Sequence, residues 1–143
     1  MKKIYFLLLL SYITSLGQTQ IGLDIDGEFA NDRSGSSVSL SSDGSIVAIG
    51  AFGNDGNGTD SGHVRVYQNI SGIWTQIGLD IDGEFTDDQS GYCVSLSSNG
   101  SVVAIGSHYN DGNGTDSGHV RIFRNISGIW TQIGLDIDGE TAN

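Results

Sequence analysis

Short runs of alternating polar and apolar residues recur along this chain, and they predict β-strands joined by tight turns. Residues 37–41 alternate so that Val38 and Leu40 share one face of a strand. Residues 46–50 are continuously apolar, which is typical of a strand buried on both faces. An Asp43-Gly44 pair between the two runs predicts a hairpin. Because no stretch has a sustained helical period, the chain is predicted to be all-β.

Two further runs complete a set of four strands. Residues 63–68 alternate, with Val64 and Val66 predicted to point inward, and residues 73–78 form the fourth strand. A second set of four strands follows in the same order at residues 94–97, 102–106, 120–124 and 129–134.

A ten-residue phrase, Thr-Gln-Ile-Gly-Leu-Asp-Ile-Asp-Gly-Glu, explains this regularity. It begins at Thr19, Thr75 and Thr131, so the period is 56 residues, and 43 of the 56 positions are identical between the first two copies. A fixed period of this length indicates a repeat architecture. The repeats are placed at residues 19–74 and 75–130, with a partial repeat at 131–143.

Four antiparallel strands in each repeat predict blades of a β-propeller, with the continuously apolar strand near the axis. The predicted fold is two four-stranded antiparallel blades plus an extra strand at Gln20–Leu23, which is an incomplete propeller because propellers close with roughly four to eight blades. A β-solenoid and a two-sheet sandwich are the rival folds. The missing blades leave three alternatives: a piece of a longer gene product, self-association, or an open two-blade wedge.

Three segments of the first repeat carry a family resemblance. Residues 34–41, 47–51 and 61–67 resemble an FG-GAP repeat, the blade unit of the integrin alpha-subunit propeller and of many secreted bacterial proteins, and residues 90–94 and 105–107 match in the second copy. The resemblance implies a propeller fold and an extracellular role in binding or cell adhesion. The family's Gly-Ala-Pro turn is replaced here by Gly-Ala-Phe and Gly-Ser-His.

The first 17 residues differ from the repeats. Two lysines, a short apolar run and a Ser15-Leu16-Gly17 ending predict a signal peptide over residues 1–17, with the repeat region at 18–143. The apolar run is shorter than the roughly 20 residues that span a bilayer, so we expect no membrane span and a secreted or cell-surface location.

The predicted mature chain is strongly acidic. Without Lys2 and Lys3 it has four arginines against 17 acidic residues, a net charge of 4 − 17 = −13. Like charge disfavours nucleic acid and anionic membranes as partners. The single cysteine, Cys93, stands where the first repeat has Ser37, and we expect it to be a small buried side chain.

A glycine-rich loop recurs unchanged at residues 54–62 and 110–118 and offers several oxygen ligands. Calcium prefers oxygen ligands on a flexible turn, so Ca²⁺ is the candidate cation, with a turn stabilised by its own Asp and Asn side chains as the alternative. The candidate ligands are Asp55, Asn57, Thr59, Asp60, Asp111, Asn113, Thr115 and Asp116.

Other polar groups receive structural interpretations first. Asp24 and Asp26 of the phrase share a face if extended, and could hold a cation or act as paired carboxylates. Their recurrence in every repeat favours a structural turn over catalysis. His63 and His119 have no partner histidine or cysteine at metal-binding spacing, so we expect them to cap hydrogen bonds.

These observations predict a secreted, non-enzymatic binding or adhesion scaffold. A protein or carbohydrate ligand is expected on the loops at one end, where residues 51–53 and 107–109 differ between the copies. The alternatives are a fragment of a propeller enzyme, such as a polysaccharide lyase or hydrolase, and a calcium-stiffened structural spacer.

Overall fold

The computed structural model describes residues 17–141. All but the last residue of the predicted signal peptide lies outside this range, so that assignment stays a prediction. Within residues 17–141 the secondary structure consists of strands, turns and bends without helix, which confirms the all-β class.

Ten strands form two antiparallel sheets, which we call blade 1 (β1–β5) and blade 2 (β6–β10). Their bounds are Ser37–Leu40 (β1), Ile46–Ala51 (β2), His63–Ile70 (β3), Ile73–Gln76 (β4), Ile81–Asp82 (β5), Cys93–Leu96 (β6), Val102–Ser107 (β7), His119–Ile126 (β8), Ile129–Gln132 (β9) and Ile137–Asp138 (β10). Strands β1 to β4 are neighbours in sequence order, and so are β6 to β9, as expected of partial propeller blades.

The fourth strand of each blade is divided in two. Strands β4 and β5 both pair with β3, at Tyr67↔Gln76 and Val64↔Ile81, and β9 and β10 pair with β8 in the same way. Between them the chain leaves the ladder at Gly78, whose φ of 75° is readily adopted only by glycine. The prediction of a continuous strand over 73–78 was therefore wrong at its end.

The extra strand predicted at Gln20–Leu23 is also wrong, because residues 17–27 contain no strand. In the later copies the phrase forms strands by pairing with β3 or β8 of its own sheet, and the first copy has no such partner among the described residues. It is held by side chains instead: Trp74 Nε1 donates to the Ile21 carbonyl at 2.9 Å, and Arg65 Nη2 donates to the Asp26 carbonyl at 2.7 Å.

The main hydrophobic core lies between the two blades. Because side chains alternate along the strands, Ala48, Val64 and Val66 lie on the same face of blade 1, and all are at most 1 % exposed. This face packs against the face of blade 2 that carries Val103 and Ile105, both fully buried. The inward orientation predicted for Val64 and Val66 is confirmed.

Polar groups set the register of one blade on the other. The hydroxyl oxygens of Ser37 and Ser39 in β1 accept hydrogen bonds from the backbone N–H groups of Val94 and Leu96 in β6, both at 2.9 Å. A Cβ atom at Gly50 would collide with the backbone of Gly91, so glycine is what permits this approach. The serines of the alternating pattern thus make specific contacts between blades.

Each blade also has a face that the other does not cover. On the open face of blade 1, Val38 and Leu40 are 61 % and 58 % exposed. On the open face of blade 2, Ile137 is 58 % exposed, whereas its repeat counterpart Ile81 is 5 % exposed in the core. Cys93 lies at the edge of this second open face and is exposed, so the expectation of a buried thiol was wrong. Its counterpart Ser37 contacts the following blade, whereas no further blade follows Cys93 among residues 17–141.

Among residues 17–141, no helix is long and apolar enough to serve as a membrane span.

The core packing predicts a large effect of truncation at its centre. Ile105→Ala should lower the free energy of unfolding by about 2–5 kcal/mol, because it removes a fully buried side chain and leaves a cavity between the blades. Ile129→Ala is the matched control at a position 67 % exposed, and should change the stability by about 0.5 kcal/mol or less. Urea unfolding measures both, and equal losses would contradict the inter-blade core.

The first hairpin predicts a local acid sensitivity. Hydrogen bonds to Asp43, first from the Ser41 hydroxyl and then from the backbone and hydroxyl of Ser45, lower the pKa of Asp43 from 3.8 to about 2. A carboxyl whose pKa is lower in the folded than in the unfolded state stabilises the fold at every pH above its unfolded-state pKa. That contribution is lost as the pH falls from 3.8 towards 2. In blade 2, Asn99 makes the same contacts with Ser97 and Ser101 without a charge.

Asp43→Asn should therefore flatten the fall in stability between about pH 4 and pH 2, and leave stability at neutral pH nearly unchanged. Asn99→Asp is the reciprocal variant and should steepen the same fall. Urea midpoints measured across this range test both substitutions, and parallel pH profiles for all three proteins would contradict the assignment.

Candidate functional site

The glycine-rich loop of each blade contacts the segment that follows the last strand of that blade. We call this segment the crossover; after β5 it comprises residues 83–92, which lead to blade 2. Asn57 Nδ2 donates to the carbonyls of Gly83 and Glu84, at 2.8 and 3.0 Å. The backbone N–H groups of Asp87 and Gln89 in turn donate to the carbonyls of Thr59 and Asp60. In the second blade, Asn113 Nδ2 donates to the carbonyls of Gly139 and Glu140. The loop is therefore a clasp between a blade and the next crossover.

The predicted calcium ligands lie in this clasp. Asp55 Oδ1 accepts the backbone N–H of Asp60 at 2.8 Å, and Asp111 Oδ1 accepts that of Asp116 at the same distance. Thr59 and Thr115 are exposed. Their contacts are those of a turn stabilised by its own side chains, and the calcium assignment stays a prediction.

A different cluster of ligand-type groups forms where two copies of the phrase meet. Glu28 of the first copy and Asp80 of the second converge on His63 at the start of β3, with one ligand atom from each within 4.8 Å of the others. Glu84, His119 and Asp136 form the equivalent group in blade 2. We call these the His63 cluster and the His119 cluster. The glutamate is the tenth residue of one phrase, and the aspartate is the sixth residue of the next.

Each carboxylate of the His119 cluster is oriented from its far side. Gln132 Nε2 donates to Asp136 Oδ1 at 2.6 Å, which leaves Oδ2 at 3.8 Å from His119 Nδ1. Arg121 Nη1 lies 3.6 Å from Glu84 Oε1, and Glu84 Oε2 lies 3.9 Å from His119 Nδ1. The His63 cluster repeats these contacts, with Gln76 on Asp80 at 2.6 Å and Arg65 near Glu28 at 3.7 Å.

The histidines are buried, whereas the carboxylates reach solvent. The side chains of His63 and His119 are each 1 % exposed. Burial lowers the pKa of His63 below its usual value, against the opposing charge of Asp80, so the neutral ring is favoured. Within residues 17–141, neither ring nitrogen of His119 has a hydrogen-bond partner, so the expectation that it caps a hydrogen bond was wrong.

Aromatic rings form a second candidate site at the end of the blades where β2 and β7 finish. Ring centroids are 5.5 Å apart for Phe52 and Tyr92, 4.0 Å for Tyr92 and His108, and 4.0 Å for His108 and Tyr109. Arg33 lies over Phe52, with Cζ 5.0 Å from the ring centroid. We call these four rings the aromatic row. Tyr92 and Tyr109 are 50 % and 45 % exposed.

A groove of about 400 Å³ lies beside the aromatic row and is lined by Tyr92, Ser107 and His108. Two polar atoms here, Ser107 Oγ and His108 Nδ1, are buried without a hydrogen-bond partner. Burial lowers the pKa of His108, which favours its neutral ring. The tilted rings, two of them about half exposed, are suited to a ligand with an apolar face.

Sequence reasoning found one of these sites and missed the other. The residues that differ between the copies, 51–53 and 107–109, indicated the end of the blades that carries the aromatic row. The two clusters were missed because their members are far apart along the chain, with 35 residues from Glu28 to His63. The spacing of Glu28 to Asp80, just short of one repeat period, is the signal that could have found them.

Comparison with protein families supports the repeat assignment. Residues 23–67 match the family model described as FG-GAP repeat. This segment runs from the phrase through β1 and β2 into β3, and so covers most of blade 1. A comparison with curated proteins gave no match. The match over residues 23–67 therefore supports the similarity of this chain to FG-GAP repeats.

Proposed function

We propose that this protein is an exported, non-catalytic binding scaffold that presents the aromatic row to a neutral carbohydrate. The observation that carries the proposal is that the row is built at positions where the repeats differ. Tyr92, Ser107 and His108 stand where the first repeat has Ser36, Ala51 and Phe52. A purely architectural repeat has no need of these differences, and together they place four rings next to two unpartnered polar atoms.

The chemistry of the surface favours a sugar over other ligands. The half-exposed rings of Tyr92 and Tyr109 provide apolar surface against which a pyranose ring can pack. The net charge of −13 without the two leader lysines, from 4 − 17, opposes an anionic polysaccharide. The predicted leader at residues 1–17 supports export, which would bring the row into contact with extracellular glycans.

A non-catalytic role is supported by the symmetry of the titratable groups. The two clusters are equivalent in composition and position, whereas an enzyme on a repeat scaffold would be expected to concentrate its reacting groups in one repeat.

Loss of a ring should weaken carbohydrate binding. Tyr109→Ala and Tyr92→Ala should each reduce affinity about tenfold, because each removes a stacking face. Phe85→Ala is the matched control, since Phe85 is 68 % exposed and lies outside the row. The measurement is retardation in native gels containing β-1,3-glucan, mannan or xylan, followed by titration calorimetry with the retained glycan. If no neutral glycan retains the wild type, or Phe85→Ala loses as much affinity as Tyr109→Ala, the proposal fails.

A second proposed function is assembly with further copies towards a closed propeller. The observation that favours it is that the buried interface and the two open faces are formed by equivalent positions of the repeat. Val94 and Leu96 pack against blade 1, and their counterparts Val38 and Leu40 are open. An interface between unlike faces of two copies is heterologous and can form a ring. Closure with roughly four to eight blades would take two to four copies.

Such assembly requires the first copy of the phrase to leave its position on blade 1. Suppose that blade 2 of one copy docks on blade 1 of a second copy in the same way that blade 1 docks on blade 2 within one chain. Residues 131–138 of the first copy would then take the position that residues 19–26 hold in the second copy. Those residues contact Trp74 and Arg65. The third phrase has the same sequence and could make the same contacts. Docking would therefore exchange one phrase for another, and we expect it to be slow.

A charge on the open face of blade 1 should prevent assembly. Sedimentation velocity over a range of concentrations should show mass increasing for the wild type and a monomer for Leu40→Arg. Leu79→Arg is the matched control, because Leu79 is 87 % exposed and lies between β4 and β5, outside the blade core. In the assembled state the exposed Cys93 thiol should react more slowly with a maleimide. A wild type that is monomeric throughout, or a Leu40→Arg variant that assembles equally well, would exclude this function.

A further inference from the structure

We infer that the His63 and His119 clusters are zinc sites, each joining two consecutive copies of the phrase through the first residue of the long central strand. This assignment is independent of the carbohydrate and assembly proposals. It is carried by the geometry of Glu84, His119 and Asp136 and by its recurrence as Glu28, His63 and Asp80.

The separations between the ligand atoms are those of groups around a common ion. His119 Nδ1 lies 3.8 Å from Asp136 Oδ2 and 3.9 Å from Glu84 Oε2, and His63 Nδ1 lies 3.5 Å from Asp80 Oδ2. Hydrogen bonds of this type measure about 2.7–3.2 Å, so these contacts are too long. Ligand atoms bound tetrahedrally at about 2.0–2.2 Å from zinc lie about 3.3–3.6 Å apart, so only small movements would be needed.

The buried histidine gives the independent indication of a ligand. His119 has a side chain that is 1 % exposed, and both of its ring nitrogens lack a hydrogen-bond partner. Buried polar atoms are normally satisfied, and one left unpaired destabilises the folded protein. Nδ1 faces the two carboxylate oxygens, so an ion placed between them would satisfy it.

The surroundings of the cluster support a bound cation. Gln132 and Arg121 hold the far oxygens of Asp136 and Glu84, which leaves one oxygen of each directed towards His119. Metal-binding carboxylates are commonly oriented in this way by a second layer of contacts. The two carboxylates and the one arginine of the site together carry a net charge of −1, which a divalent ion would reverse.

The ligand set selects the class of metal. One imidazole nitrogen with two carboxylate oxygens suits zinc, and the buried nitrogen is a poor ligand for calcium or magnesium, which prefer oxygen. The half-exposed side of the cluster, where Asp136 is 31 % exposed, leaves room for water as a fourth ligand. The ion would bind between strands β8 and β10 and the preceding crossover, and so stabilise the blade.

Calorimetric titration of the metal-free chain with zinc chloride tests the assignment. The wild type should bind two zinc ions, one for each cluster, and its melting temperature should rise with added zinc. His63→Gln and His119→Gln should each bind one ion, and the double variant should bind none. Asp87→Asn is the matched control, because it removes an exposed carboxylate outside both clusters and should still bind two.

A second pair of variants covers the case in which a histidine substitution disturbs folding. Asp80→Asn and Asp136→Asn change half-exposed carboxylates, and each should weaken its own site at least tenfold while leaving far-ultraviolet circular dichroism unchanged. With cobalt chloride in place of zinc, the visible absorption of a tetrahedral ion should appear in the wild type and halve in each single variant. The assignment is overturned if the wild type binds no zinc, or if the double histidine variant binds as many ions as the wild type.

Discussion

Packing of one face of blade 1 against the opposite face of blade 2 is the contact on which the rest of this structure depends. An isolated four-stranded sheet of this composition would leave apolar residues on both faces in water, and a sheet needs a covered face for stability. Ala48, Val64 and Val66 meet Val103 and Ile105 with almost complete burial, while equivalent positions on the open faces remain accessible. The chain therefore contains one formed interface between the blades, and the two faces that could form an equivalent interface remain open, one on each blade.

The phrase then has a role beyond marking the period. Its first two residues end β4 or β9, its first glycine lets the chain leave the ladder, and its seventh and eighth residues return to the same sheet as β5 or β10. The Trp of the next blade donates to the Ile carbonyl of the preceding phrase in both repeats, at 2.9 and 2.8 Å. One ten-residue sequence thus completes a blade, leads to the next and supplies carboxylates to two clusters.

Much of the fold could be predicted because strand, turn and repeat signals agree. Period-two alternation located the strands within a few residues, and the Asp43-Gly44 pair located the first hairpin. The extra strand at Gln20–Leu23 was mispredicted because strand formation depends on a partner strand, and identical residues fold differently where that partner differs. Cys93 was mispredicted for a related reason, since its burial depends on a following blade. The clusters could not be predicted because they need the register between phrases 52 residues apart, from Glu28 to Asp80.

The positions that differ between repeats divide the molecule into architecture and recognition. Thirteen positions differ, and eight of them lie between residues 30 and 37 or 51 and 53 of the first repeat, around the end that carries the aromatic row. The members of both clusters and the clasp loop are identical in the two copies. A scaffold that repeats its supports and varies one end places its rings on a rigid base, where stacking requires little ordering on binding. The clusters therefore follow the symmetry of the repeat, whereas the aromatic row departs from it, and the two proposals of ion binding and ligand binding rest on these separate features.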